Sequence, residues 1–177
     1  RTHRVSARAT HLYEQPDFKT LEAASLSFGS RIAVTGSLEG RFAETAIGLF
    51  IPSAHLTPVD QLEEDPVGVA ERLLGTPYLW GGNSSFGTDC AGLVQMACLA
   101  CGIACPGDAD MQEDELGVHL PDDAPLQRGD LIFWNGHVAW MADAETLIHA
   151  NAHHMATAYE PFAAACARIE AQGDGPV

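Results

Sequence analysis

At 177 residues the chain is long enough for one sizeable core, or for a small module followed by a larger one. Its 46% hydrophobic content is that of an ordinary globular protein, and no apolar run approaches the roughly 20 residues needed to span a bilayer. The formal charge of −15, from 9 Lys+Arg against 24 Asp+Glu, argues against nucleic acid and anionic membranes as partners and suits a substrate bearing a cationic group.

The first part of the chain alternates short β-type runs with turn residues. Leu26-Ser27-Phe28, Arg31-Ile32-Ala33-Val34-Thr35 and Gly48-Leu49-Phe50-Ile51 are broken by Gly29-Ser30, Leu38-Glu39-Gly40 and Pro52. Such spacing predicts a small all-β barrel or partial sandwich over residues 1–60. The acidic, proline-bracketed segment from Pro58 to Pro66 then reads as a linker or a helix entry, with a second domain over residues 61–177.

Val67, Ala70, Leu73 and Leu74 recur at helical spacing, and Gly75 and Pro77 end that helix. Tyr78-Leu79-Trp80-Gly81-Gly82 leads into a glycine-rich loop. A second helix is expected from Cys90 to about Cys101, with Thr88 or Asp89 as N-cap and Gly102 just past its end. Two apolar runs, 130–134 and 137–141, flank Asn135-Gly136, the strongest short-range hairpin signal. A third strand follows at 146–150, and a polar, glycine-rich C-terminal tail is expected to be mobile. Helices first and strands afterwards give an α+β domain.

Nucleophilic catalysis by cysteine needs a thiolate, an imidazole to carry its proton and a group to orient that imidazole. Cys90 opens a helix, where unpaired N–H groups and the dipole are expected to lower its pKa. His137 starts the second hairpin strand, and His149 lies on the adjoining strand, within reach of the second ring nitrogen of His137. Backbone N–H groups at the helix start, that of Cys90 included, would polarise the scissile carbonyl. The competing reading is a buried structural thiol beside two ordinary strand histidines.

These residues carry a resemblance. Tyr78-Leu79-Trp80-Gly81-Gly82, Asp89-Cys90-Ala91-Gly92-Leu93-Val94, Arg128 to Trp134, His137-Val138 and Ile148-His149-Ala150 resemble, in order, the motifs of NlpC-type (NlpC and p-sixty) cell-wall cysteine peptidases of the papain-like superfamily. The likeness runs from Pro77 to near Pro161. It implies Cys90 as nucleophile, His137 as general acid/base and His149 as the residue that orients it, with neither cofactor nor metal. It implies as substrate a peptidoglycan stem peptide or muropeptide, cut between D-γ-glutamate and a diamino acid. Residues 24–59 resemble, more loosely, the bacterial SH3-like domains that precede such peptidases.

Within the family, one recycling subgroup requires a free N-terminal L-alanine, and an acidic residue after the nucleophile helix binds its amine. Asp108 resembles that position; the other reading makes Asp108 and Asp110 solvated loop residues. Tyr78, Trp80, Asp89 and Ala91 are expected to line the same substrate site, although Tyr78 and Trp80 would equally serve as core residues. Ala91 departs from the serine found directly after the nucleophile in many relatives, which leaves more of the amine to Asp108. Alternatives to this activity are a catalytically inactive wall-binding module and a Cys/His hydrolase of another amide or ester.

The five cysteines include Cys98, Cys101 and Cys105 in a C-x2-C-x3-C spacing, for which a metal site with His119 or Cys166 is the less favoured reading. The odd count leaves at least one free thiol, which fits a cytoplasmic location, with periplasm or cell wall as the alternative if a leader was removed. His153-His154 reads as a surface pair.

Overall fold

Short β-branched and apolar runs punctuated by glycine build the N-terminal part. A computed structural model describes residues 1–36, 38–121 and 123–173 and divides the chain into two units, Arg1–Leu62 and Glu63–Val177. In the first, strands β1 (His3–Val5), β2 (Ala9–Tyr13), β3 (Glu22–Ser27), β4 (Arg31–Ile32), β5 (Phe42–Glu44), β6 (Phe50–Pro52) and β7 (Leu56–Pro58) form two antiparallel sheets, in the orders β4-β1-β7 and β3-β2-β6-β5. Val5, Leu12, Ala43, Ile51 and Leu56 bury its core. Among the described residues the strands form these two open sheets rather than a closed barrel. The expected strands lie close to β3, β4 and β6. β1, β2, β5 and β7 escaped notice because runs such as His3-Arg4-Val5 are too short and polar to show a period.

The second unit begins with α1 (Pro66–Arg72), for which Asp65 is the N-cap: its Oδ1 accepts the Val67 N–H at 3.0 Å, and Pro66 fills the first helical position. Val67, Val69, Ala70 and the following Leu73 are buried. A small hairpin, β8 (Asn83–Ser84) and β9 (Gly87–Thr88), leads into α2 (Cys90–Ala100). Asp89 is its N-cap, and Gly102, at φ 76°, stands just beyond its end.

After the short α3 (Ala109–Glu115), strands β10 (Leu131–Trp134), β11 (His137–Met141), β12 (Thr146–Asn151) and β13 (Ala156–Pro161) run as an antiparallel meander in chain order. The Asn135-Gly136 turn joins β10 and β11, with Gly136 at φ 72° and Trp134 opposite His137. The unit closes with α4 (Phe162–Gln172). One sheet face, carrying Ile132, Trp134, Ala139, Met141 and Leu147, packs on Ala165 and Ile169 of α4, while α1 and α2 also pack on the sheet.

This corrects the expected order of helices then strands, because α4 follows the sheet. Its stripe is largely alanine and its cap residue is Pro161, so neither the apolar period nor a capping side chain signals it. β13, with three alanines or prolines among six residues, was equally silent. The C-terminal tail, from residue 174, lies outside the described residues.

Candidate active site

The glycine-rich loop and the Asp89 carboxylate set the position of Cys90. Asp89 Oδ1 accepts the Gly92 N–H at 2.8 Å, and Oδ2 accepts the Gly81 N–H at 2.7 Å. The Asp89 N–H in turn donates to the Gly82 carbonyl at 3.0 Å. Asp89, expected to bind substrate, therefore has both oxygens committed to backbone, one to the first turn of α2 and one to the loop crossing it.

Cys90 is 8% exposed. Burial pushes its thiol above the ordinary value, and the Asp89 charge adds to that; the N–H groups of Val138, Ala91 and Cys90 itself pull it down. The expectation of a lowered pKa is thus corrected, because desolvation and the capping carboxylate outweigh the helix start. A thiol so placed needs a base to take its proton. Val138, whose N–H acts on the sulfur, directly follows His137 on β11.

Side chains alternate across a strand, so His137 shares a face with Ala139 and Met141, and His149 shares one with Leu147. Register pairs Met141 with Leu147, and Leu147 with Glu160. His137, His149 and Glu160 thus stand on the α4 side of the sheet. His137 Nε2 and His149 Nδ1 are 2.8 Å apart, and His149 Nε2 lies 3.0 Å from Glu160 Oε2. Arg168 on α4 completes the row, its Nε donating to Glu160 Oε1 at 3.0 Å and its Nη2 to Oε2 at 2.8 Å. The Trp134 ring lies against His137, with centroids 5.6 Å apart.

His149 is fully buried, and its pKa is pushed down to about 3 by burial and by His137, against the pull of Glu160. It is a neutral imidazole. Burial works to raise the Glu160 carboxyl, but hydrogen bonds and charge from Arg168, joined by His149, hold it below the usual range. Glu160 and Arg168 were not anticipated. Glu160 lies on the unrecognised β13 and Arg168 on the unrecognised α4, so no local pattern pointed to either.

The remaining expected residues divide. Tyr78 is half-buried near the thiol: burial raises its phenol, and the charges of Cys90 and Asp89 add to the rise. Trp80 is 89% exposed, which rules out the core reading for it. Ala91 is buried, and its carbonyl accepts Gln112 Nε2 at 2.9 Å. Asp108 is exposed at the start of α3 without a side-chain capping bond, one turn before Gln112. Gln112, unforeseen and fully buried, also donates to the Pro106 carbonyl at 2.9 Å and so ties the segment before Asp108 to the nucleophile helix.

All five cysteines are free thiols. The Cys98 and Cys105 thiols hydrogen-bond to each other, which raises the first and lowers the second. Among the described residues the group with metal-ligand spacing is instead His149, His154 and Glu160, whose ligand atoms lie within 4.8 Å of one another. Both oxygens of Glu160 already accept from Arg168, and a guanidinium at that distance opposes a second cation. His153 and His154 are exposed, and His154 Nδ1 lies 3.0 Å from Asn151 Oδ1.

A cysteine at a helix start, together with a pair of histidines in contact on an antiparallel sheet, is the arrangement of a papain-like thiol hydrolase. Residues 75–165 match the NlpC/P60 family, and the chain belongs to that family. It is 35% identical over 136 residues to the γ-D-glutamyl-L-lysine dipeptidyl-peptidase of Bacillus subtilis, covering 73% of this chain and 44% of the relative. It is 39% identical over 88 residues to dipeptidyl-peptidase 6 of Lysinibacillus sphaericus, covering 50% of this chain and 32% of the relative. The chain thus spans less than half the length of these curated relatives. A crystal structure of an NlpC/P60 family protein from Bacillus cereus superposes with a TM-score of 0.75 at 23% identity, over 90% of this chain and 57% of that one. The peptidoglycan hydrolase RipB of Mycobacterium tuberculosis gives a TM-score of 0.50 at 28% identity, over 54% of this chain and 56% of that one.

Proposed function

We propose that the chain is a cysteine endopeptidase that hydrolyses the γ-D-glutamyl–diamino-acid bond of peptidoglycan stem peptides. Its substrates in this reading are muropeptide fragments with a free N-terminal L-alanine, released during wall recycling and cut in the cytoplasm. The observation that carries the reading is the 2.8 Å His137–His149 contact on the strand whose Val138 N–H reaches the Cys90 sulfur. The N-terminal unit, which resembles an SH3-like domain, is read as an accessory substrate- or wall-binding module.

Cys90 Sγ attacks the γ-carbonyl carbon of the D-glutamyl residue while His137 Nδ1, the ring nitrogen turned away from His149, takes the thiol proton. A C–S bond forms, and the carbonyl π electrons move onto oxygen, towards the N–H groups at the start of α2. Collapse breaks the C–N bond as His137 returns the proton to the leaving amine. Water, deprotonated by the same imidazole, then attacks the thioester and releases the glutamyl acid and the Cys90 thiol. Neither metal nor cofactor enters these steps.

The free-amine preference rests on Asp108, exposed and without a capping bond, one helical turn from the residue that holds Ala91. A carboxylate there would pair with the L-alanine ammonium, and an acetylated analogue would leave it unpaired. The names of two relatives specify L-lysine at the cleaved bond. The test is mass spectrometry of products from L-Ala-γ-D-Glu-L-Lys, its diaminopimelate counterpart and N-acetylated forms, with wild type and Cys90→Ala. Cleavage after glutamate, lost in Cys90→Ala and strongly reduced by acetylation, is expected. Cleavage surviving in Cys90→Ala would sink the nucleophile assignment; equal rates with acetylated peptide would sink the free-amine requirement.

A further inference from the structure

We propose that Glu160, clamped by Arg168, is a positioning residue that fixes the tautomers of both histidines and so leaves His137 Nδ1 bare to receive the Cys90 proton. The inference rests on the catalytic reading above and extends the row of polar groups two residues beyond it.

A carboxylate only accepts hydrogen bonds. Glu160, 7% exposed, receives two from Arg168 and is kept ionised by them, its pKa lowered although burial opposes this. Its Oε2, 3.0 Å from His149 Nε2, therefore requires a hydrogen on that nitrogen. His149 is neutral and has one ring hydrogen to place. With Nε2 protonated, its Nδ1 is a bare lone pair, 2.8 Å from His137 Nε2. That lone pair in turn requires a hydrogen on His137 Nε2, and a neutral His137 then has no hydrogen on Nδ1.

The same order serves the charged step. When His137 takes the thiol proton, the positive ring faces a neutral acceptor that is itself backed by a buried negative charge. Without Glu160 the row has no fixed end, and the reversed set becomes accessible: hydrogen on His149 Nδ1, none on His137 Nε2 and hydrogen on His137 Nδ1. In that set the nitrogen needed as base is already occupied.

The groups facing His149 have defined places. His137 comes from β11, Glu160 from β13 and Arg168, through Glu160, from α4. The His154 ring, from the β12–β13 turn, has its centroid 6.4 Å away, with Nδ1 at Asn151 Oδ1. Of these, Glu160 is the anionic one in direct contact.

Two measurements test the proposal, neither needing a peptide substrate, so their failure is distinguishable from a wrong substrate class. The first is nitrogen–hydrogen correlation NMR of the histidine rings in the unaltered, 15N-labelled chain near neutral pH. The expected result is hydrogen on Nε2 and none on Nδ1 for His149, and hydrogen on Nε2 for His137. Hydrogen on His149 Nδ1 overturns the proposal without any variant.

The second measures iodoacetamide alkylation of Cys90, read on its own peptide by mass spectrometry across pH, in wild type, Glu160→Leu and Glu160→Asp. In Glu160→Leu, alkylation near neutral pH should fall by about 10-fold or more and its profile should move to higher pH. Glu160→Asp, which restores the carboxylate, should recover most of the rate. A folded Glu160→Leu with the wild-type rate and profile overturns the assignment. If that variant does not fold, the tautomer measurement decides alone.

Discussion

Gly82 and Gly92 meet backbone to backbone: a β-carbon on Gly92 would overlap the Gly82 carbonyl oxygen, the acceptor of the Asp89 N–H. Gly82 is equally confined, since its own β-carbon would stand 2.6 Å from the Gly87 carbonyl oxygen. The glycines on either side of Cys90 thus let one loop lie directly on the first turn of α2.

Gly92→Ala should therefore force two backbones apart rather than displace a flexible side chain. The expected cost is about 1–3 kcal/mol of stability. Turnover should fall by about 100-fold, because the nucleophile shifts with its helix start. Gly81→Ala is the contrast, since a β-carbon there meets open space and the cost comes from a φ of 73°, about 1–2 kcal/mol. Thermal melts and kcat/KM on the stem peptide would separate the two; equal activity losses would contradict the close-approach explanation.

Much of this site was legible in the sequence because its signals are local. Asp89-Cys90 before an apolar stripe reads as a capped helix start, and Asn135-Gly136 between apolar runs reads as the hairpin that presents His137. Strand alternation then makes His149 a candidate neighbour. Glu160, Arg168 and Gln112 were not legible, because each is significant only through a contact across the fold, to His149, Glu160 and the Ala91 carbonyl. The direction of the Cys90 pKa is hidden from the sequence for a related reason. A helix start is visible in sequence, whereas the burial that opposes it is not.

Asp89→Asn tests the balance of charge and capping at that helix start. One amide oxygen can still accept an N–H from Gly92 or Gly81, but the amide NH2 must then face the other donor. A stability loss of about 1–2 kcal/mol is expected. Removing the negative charge should also lower the Cys90 pKa, because that charge raises it in the wild type. The pH profile of Cys90 alkylation reads this directly; an unchanged or raised midpoint would show that the carboxylate acts through the helix cap alone.

Trp80 and Leu93 separate surface from core in the same region. Trp80 is 89% exposed, so Trp80→Ala should leave the melting transition within about 0.5 kcal/mol of wild type. Leu93, 1% exposed on α2, should cost about 2–5 kcal/mol as Leu93→Ala. If Trp80 lines the substrate path, as the family resemblance implies, its loss should raise KM with little change in kcat. A large drop in melting temperature for Trp80→Ala would refute its surface placement.

Acid stability follows from the buried imidazole. In the unfolded chain His149 takes up a proton near pH 6.5, but in the fold its pKa lies near 3. Between those values the unfolded state binds one proton more than the native state, so stability falls as pH falls, by up to about 1.4 kcal/mol per pH unit. Glu160 acts in the same direction but only at lower pH, below its unfolded value of 4.5, because its folded pKa is depressed. Between pH 6.5 and 4.5 His149 therefore contributes a slope in which Glu160 takes no part. His149→Asn should flatten it by close to one proton while leaving the steeper loss below pH 4.5. Urea unfolding across this range measures both parts, and a slope unaffected by the substitution would mean that His149 is not held neutral by the fold.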